Sequence, residues 1–219
     1  MMEEKHILVV FPHPDDESFG PGGTIASYTK LGIPVTYACL TLGEMGRNMG
    51  TPPFANRESL PSLRKQELIE ACKVLGIKDV RMLGFRDKTI EFEHKAKVIE
   101  TIKELIVELK PSLIITHYPG HGVHPDHDAT GHATVEAVRQ LPEAVRPKVY
   151  CMAITKEREK VLGKPDVVHD VESTMDVKVA AIKAHRSQTE AMFKQQSNDE
   201  LTTRLKKWLT EEQFWIYRF

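Results

Sequence analysis

The chain has 219 residues, 41% hydrophobic and 28% charged, with a formal net charge of -1, the balance of a soluble globular protein. Near-neutral charge gives no footing for a nucleic-acid or membrane-surface partner, and no apolar run approaches the roughly 20 residues of a spanning helix. Cys39, Cys72 and Cys151 lie far apart in apolar surroundings, which fits core thiols in a reducing compartment better than a disulfide framework. With no basic leader ahead of the short apolar run at 7–11, the expected location is the cytoplasm.

Strand and helix patterns then alternate. Residues 6–11 form a short, β-branched, continuously apolar run, as in a strand buried on both faces. A helix is expected over 23–31, ending near Gly32, and a second strand over 35–41. Residues 42–62 hold three glycines and three prolines and read as a loop, long enough to carry function or to move. Residues 62–75 read as a helix closed by Gly76, and 80–83 as a third strand. Over 95–109 the apolar residues Val98, Ile99, Ile102, Leu105, Ile106 and Leu109 recur at helical spacing. A fourth strand over 113–116, a helix over 129–140 and a fifth strand over 148–154 follow. Beyond them come a short strand at 167–171, a helix at 175–185, a capping box at Ser197–Glu200 opening another helix, and the tail FWIYRF as an edge strand or packed terminus. The alternation predicts an α/β fold, a mostly parallel sheet with helices on both faces. With no internal repeat or linker, residues 1–219 read as a single domain.

In such sheets ligands bind beyond the carboxyl ends of the strands, where strand order reverses. Three polar loops follow strands: 12–23, 42–62 and 117–128. The first reads PHPDDESFGPGG. Adjacent acids repel one another and lose solvation, so a counter-charge is expected there. The third begins the stretch HYPGHGVHPDHDATGH, in which His117, His121, His124, His127 and His132 place five of the ten histidines within sixteen residues. Imidazole and carboxylate without a nearby cysteine point to a catalytic zinc site, which keeps three protein ligands and one open position. In HPDDE the two aspartates cannot both point the same way, so one joins His13 on the metal and the other faces its water. In HPDH the spacing of His124 and His127 leaves one to ligate and one to face substrate. His117 and His121 are expected to be loop-structural, and His132 a packed or half-exposed residue of the following helix. Gly22 and Gly23 fit neither a dinucleotide nor a P-loop pattern and read as backbone clearance near the site.

PHPDDE followed about 110 residues later by HPDH, each after a strand, resembles the LmbE/PIG-L family of zinc-dependent N-acetylglucosamine deacetylases, and within it the bacterial deacetylases of bacillithiol biosynthesis. That family usually has Ala before the first His, where this chain has Pro12. The resemblance implies a Rossmann-like fold, with zinc (Fe2+ or Co2+ as substitutes) held by His13, Asp16 and His127. It implies Asp15 as general base on the water at the zinc and His124 as general acid or as electrophile at the oxyanion, its imidazole oriented by Asp126. Arg64 in LRKQE and Asp87 in GFRDKT match substrate-contacting positions, and Glu44 and Arg47 in TLGEMGR are further pocket candidates. AHRSQ, residues 184–188, matches a family signature and receives no role. The implied reaction removes acetate from an N-acetylglucosaminyl small molecule, N-acetylglucosaminyl malate in the bacillithiol branch, and family habit implies a homo-oligomer. Two rivals stand beside it. Paired aspartates after a first strand also hold Mg2+ in phosphoesterases and other metallohydrolases, a reading the histidine-rich loop disfavours. A non-catalytic metal- or sugar-binding module would have no use for Asp15 and His124.

Overall fold

The computed structural model describes residues 4–195 and 203–219. Seven strands form one sheet: β1 (Ile7–Phe11), β2 (Val35–Cys39), β3 (Asp79–Met82), β4 (Leu113–His117), β5 (Lys148–Met152), β6 (Val167–Asp170) and β7 (Glu211–Ile216). Their order is β3-β2-β1-β4-β5-β7-β6. β1 pairs in parallel with β2 and β4, β2 with β3, and β4 with β5. Among the described residues, β7 runs antiparallel to both its neighbours, β5 and β6.

β1 is central, which explains its unbroken run of apolar residues. Ile7, Val9 and Phe11 pack on one face with Ile25, Leu68 and Leu75. Leu8 and Val10 pack on the other with Ile102, Ile106 and Val135. The first layer is built by α2 (Gly22–Lys30), α3 (Leu60–Leu75) and α7 (Met175–Ala184), the second by α4 (Lys95–Leu109) and α5 (Pro125–Arg139). The remaining helices are the short α1 (Asp16–Phe19), α6 (Arg158–Leu162), α8 (Arg186–Gln195) and α9 (Thr203–Thr210). Cys39, Cys72 and Cys151 are free and buried. Among the described residues, no helix is long and apolar enough to cross a membrane.

Three expectations are corrected in whole or in part. α5 starts at Pro125, not near 129. His124 caps it by accepting the Asp126 N–H at 3.1 Å, Pro125 takes the first helical position, and Asp126 and Asp128 complement the positive helix end. Of the two forms expected for the tail, the packed one holds and the edge strand does not: β7 lies between β5 and β6 with Phe214 and Trp215 buried. Gly23 gives clearance to Val171, where a Cβ would come within 2.5 Å, whereas a Cβ on Gly22 would come 3.4 Å from the Glu17 carbonyl. The expected capping box at Ser197–Glu200 lies outside the described residues.

Strand order reverses between β1 and β4. The loop after β1 carries His13, Asp15 and Asp16, and the loop after β4 leads into His124 and His127. Both loops therefore open on the crevice where ligands bind in sheets of this kind.

Candidate metal centre

Backbone bonds first fix the β1 loop. The Tyr37 hydroxyl donates to the His13 carbonyl at 2.8 Å, and Thr41 Oγ1 donates to the Pro12 carbonyl at 2.8 Å. The His13 N–H donates to Asp16 Oδ2 at 2.9 Å, closing a tight turn. Asp15 adopts φ 110°, a left-handed conformation rare for a residue with a side chain. That turn sends the two neighbouring aspartates in different directions, as the sequence required.

Three donors converge. His13 Nδ1 lies 3.2 Å from His127 Nε2 and 3.5 Å from Asp16 Oδ2, and His127 Nε2 lies 3.3 Å from Asp16 Oδ1. Tetrahedral donors about 2.0–2.1 Å from a zinc ion stand about 3.4 Å apart, so this set fits a divalent metal. The outer nitrogens agree. His13 Nε2 sits 3.2 Å from both Asp87 Oδ1 and Asp126 Oδ2, and His127 Nδ1 donates to the Gly122 carbonyl at 2.7 Å. With the protons held on those outer atoms, the lone pairs of His13 Nδ1 and His127 Nε2 face each other. Carboxylate or carbonyl partners behind metal-binding imidazoles fix the tautomer in this way.

The electrostatics follow from the crowding. Burial works against a charged His13, yet its bonds to Asp126, Asp16 and Asp87 hold it well above the ordinary histidine range. For Asp16, burial is outweighed by His127 and His13, which keep the carboxyl well below its usual range. Asp15 is pushed up to about 6, chiefly by burial, with Arg64 pulling the other way and Asp16 adding to the rise. Its side chain keeps 22% of its surface exposed, and a cation in the centre would draw it down.

Not every predicted residue stands where it was expected. Asp126 is fully buried, and its carboxylate accepts the N–H groups of Lys88 and Ile90 at 2.7 and 3.2 Å. The imidazole it orients is that of His13. His124 is reached only through the Asp126 backbone, whose N–H takes up His124 Nδ1 and leaves Nε2 to carry the proton of the neutral ring. Burial, then His13, lower the pKa of His124. Asp87 is also no free sugar contact. It is buried against His13 and accepts the Met45 N–H at 2.8 Å, while Glu44 Oε2 accepts the Asp87 N–H at 3.1 Å. Arg64, 4% exposed, donates to Asp15 Oδ2 at 2.9 Å and to the carbonyls of Gly43 and Pro14. Its guanidinium occupies the space a side chain on Gly43 would need, so it clamps the chain beside Asp15. Arg47 is exposed and is not drawn into this cluster.

His117 stacks on His127 with centroids 4.0 Å apart and planes 13° apart. His117 Nε2 also lies 4.0 Å from Asp16 Oδ1, so Asp16, His117 and His127 present a further set of ligand atoms within 4.8 Å of one another. Burial pushes the His117 pKa down to about 3, which keeps its ring neutral. His121 is loop-structural, its Nδ1 2.8 Å from Thr155 Oγ1, and His132 is exposed. Beyond His124 a groove of about 720 Å³ runs between α4 and α5. The sequence offered little signal for Tyr37 and Thr41, whose hydroxyls brace the loop from an apolar strand and its end. Glu17, inside the HPDDE motif and one of the donors expected after the first strand, is fully buried and accepts the Asp15 N–H at 3.0 Å.

A parallel α/β sheet with a His–Asp–His centre at its switch point, an aspartate and an imidazole beside it, has the equipment of a metallohydrolase. The PIG-L family, described as GlcNAc-PI de-N-acetylase, matches residues 8–138. A probable N-acetyl-α-D-glucosaminyl L-malate deacetylase 2 of Bacillus cereus is 56% identical, with 99% of each chain covered. Its Bacillus subtilis counterpart is 54% identical over 99% of each. Among solved structures, the N,N′-diacetylchitobiose deacetylase of Pyrococcus horikoshii superimposes with a TM-score of 0.73 at 26% identity, covering 98% of this chain and 84% of that one. The chain belongs to the PIG-L family.

Proposed function

We propose that this protein is a metal-dependent N-deacetylase that removes acetate from an N-acetylglucosaminyl small molecule, N-acetylglucosaminyl malate by preference. The observation that carries the reading is the convergence of His13 Nδ1, Asp16 and His127 Nε2 within 3.2–3.5 Å, with Asp15 adjacent in sequence but turned aside. The relatives that match end to end are named for that substrate. A divalent ion, zinc in first place with Fe2+ or Co2+ as substitutes, supplies Lewis acidity toward water and the amide carbonyl.

The chain's own residues do the rest. Asp15 takes the proton of the attacking water, which requires the carboxylate form and hydrogen-bond reach. Arg64 fixes that carboxylate and favours its charged state. His124, with its proton on Nε2, would hydrogen-bond to the oxyanion, and the proton Asp15 took from the water would pass to the leaving amine. Asp126 and Asp87 hold His13 in its ligating tautomer. Arg47, exposed at the mouth of the loop at 42–59, stays a candidate for the outer part of the substrate. The groove beyond His124 carries Lys95 and His132 together with Glu91 and Glu136, so a panel of substrates is the right test of the aglycone.

The whole chain acts as one domain, in the cytoplasm, as a homo-oligomer, with a small molecule and neither nucleic acid nor membrane as its partner. The experiment is acetate release by zinc-loaded protein across N-acetylglucosaminides that differ only in aglycone, with and without chelator. Fastest release from the malate compound, abolished by chelation, is expected. Turnover that survives chelation contradicts the metal mechanism, and phosphate release from a phosphoester panel in place of acetate would support the rival hydrolase.

A further inference from the structure

The AHRSQ segment has no part in the reaction described above, yet it bonds to Glu17 beside Asp15, to Glu67 near Arg64 and to Asn48. His185 and Glu17 are both fully buried, and His185 Nε2 donates to Glu17 Oε1 at 2.7 Å. The other oxygen of the same carboxylate, Glu17 Oε2, accepts the backbone N–H of Asp15 at 3.0 Å. That is the residue held at φ 110°. Two residues on, Ser187 donates through its N–H and hydroxyl to the two oxygens of Glu67, at 2.6 and 2.7 Å. Glu67 lies on α3, one turn from Arg64, whose guanidinium grips the Asp15 carboxylate.

We propose that His185 and Glu17 form a positioning pair for Asp15: the imidazole orients the Glu17 carboxylate, which holds the Asp15 amide and so keeps a left-handed turn that aims the base at the metal centre. The pair acts through Asp15 and touches neither metal nor substrate. The argument for position over mere packing is economy of contact. A left-handed non-glycine residue persists only where its surroundings over-determine it. Here Glu17 fixes the Asp15 amide and Arg64 its carboxylate, and the five-residue AHRSQ stretch holds Glu17 through His185 and, through Ser187, Glu67 one turn from Arg64. Ser18 Oγ also donates to Glu17 Oε1, at 2.5 Å, so the carboxylate has no freedom to rotate away. His185 Nδ1, by contrast, is buried without a hydrogen-bond partner among the described residues. A ring present only to fill space would not need its Nε2–H, whereas here that atom makes the ring's one polar side-chain bond.

This inference rests on the reading of Asp15 as the base, so its test includes a readout that does not depend on activity. Two variants separate the polar function from the volume. His185→Leu removes the donor, and His185→Gln restores an N–H close to the place of Nε2. On zinc-free protein, amide exchange at Asp15 followed by NMR is expected to be fast in His185→Leu and protected in wild type and His185→Gln. With zinc loaded, kcat for acetate release is expected to fall about 100-fold in His185→Leu, the scale of an angstrom-sized misplacement. KM and bound zinc stay near wild type, and His185→Gln recovers most of the loss. Should His185→Leu not fold, Glu17→Gln and His185→Gln carry the comparison, with Asp15 exchange as the readout. Unchanged Asp15 protection and unchanged kcat per zinc in His185→Leu, or His185→Gln no better than His185→Leu, overturns the pair. Loss of protection together with wild-type protein that releases no acetate from any N-acetylglucosaminide leaves the pair standing and overturns the functional reading instead.

Discussion

Asp15 and Asp16 are neighbours with opposite electrostatic fates. Asp16 is held charged by two imidazoles, while Asp15 is pushed up to about 6 by burial despite Arg64. One carboxylate is thus suited to hold a cation, and the other to take up and release a proton near neutral pH. Asp16→Ala is expected to abolish tight zinc binding, measured by elemental analysis after dialysis. Because the base must be deprotonated, activity is lost as pH falls through the Asp15 pKa. The acid limb of kcat/KM is therefore expected at or below about 6, since bound metal draws the value down. A pH profile that stays flat down to pH 4 would remove Asp15 from the role. At this scale the sequence was legible where the motif residues act by chemical type. His13, Asp16 and His127 come together as HPDDE and HPDH suggested. It was not legible where a role depends on rotamer and partner. Arg64 and Asp87 have the chemistry of substrate contacts, but burial has already committed them to Asp15 and His13.

Among the elements, α7 and β7 are joined by a buried ion pair whose carboxylate also holds the start of α2. Glu212 accepts the Gly23 and Thr24 N–H groups at 2.8 Å each, capping α2, and Lys178 Nζ lies 2.7 Å from the same carboxylate. Lys178→Met leaves that carboxylate buried without its cation and is expected to cost about 3 kcal/mol in urea unfolding. The kcat of the folded fraction stays unchanged. The tail offers a pH-dependent check. Bonds from the Ile216 N–H and from Arg218 hold Asp166 below the usual carboxylate range. A depressed pKa adds stability above the unfolded value near 3.9 and loses it as pH falls through the folded value. Asp166→Asn should therefore melt lower than wild type at pH 7, by about 2 °C, with the gap closing below pH 4. The position of β7 inside the sheet was hidden in the sequence, because an apolar tail reads alike as an edge strand or a packed terminus. The start of α5 was legible only in part: the three-residue spacing of His124 and His127 suits a helix beginning there, but a clear helical pattern shows only from about 129.

For the whole molecule, the fold supplies the crevice and the two loops supply the donors. The β1–β4 reversal places loops more than a hundred residues apart within bonding distance. Alternating strand and helix patterns made the parallel sheet readable, from the apolar run of β1 to the helical spacing of α4. A metal that binds only the folded state stabilises it by mass action, about 2.7 kcal/mol at a hundredfold excess over its Kd. Melting temperature should rise with zinc for wild type and Asp15→Asn, and stay fixed for Asp16→Ala. The division of labour between the two aspartates is the central claim, and one preparation tests it most directly: bound zinc and kcat for acetate release, both measured on purified Asp15→Asn. Zinc at wild-type stoichiometry with kcat lower by about 100-fold or more is the predicted result. Wild-type kcat with zinc bound, or zinc lost together with the rate, would contradict it.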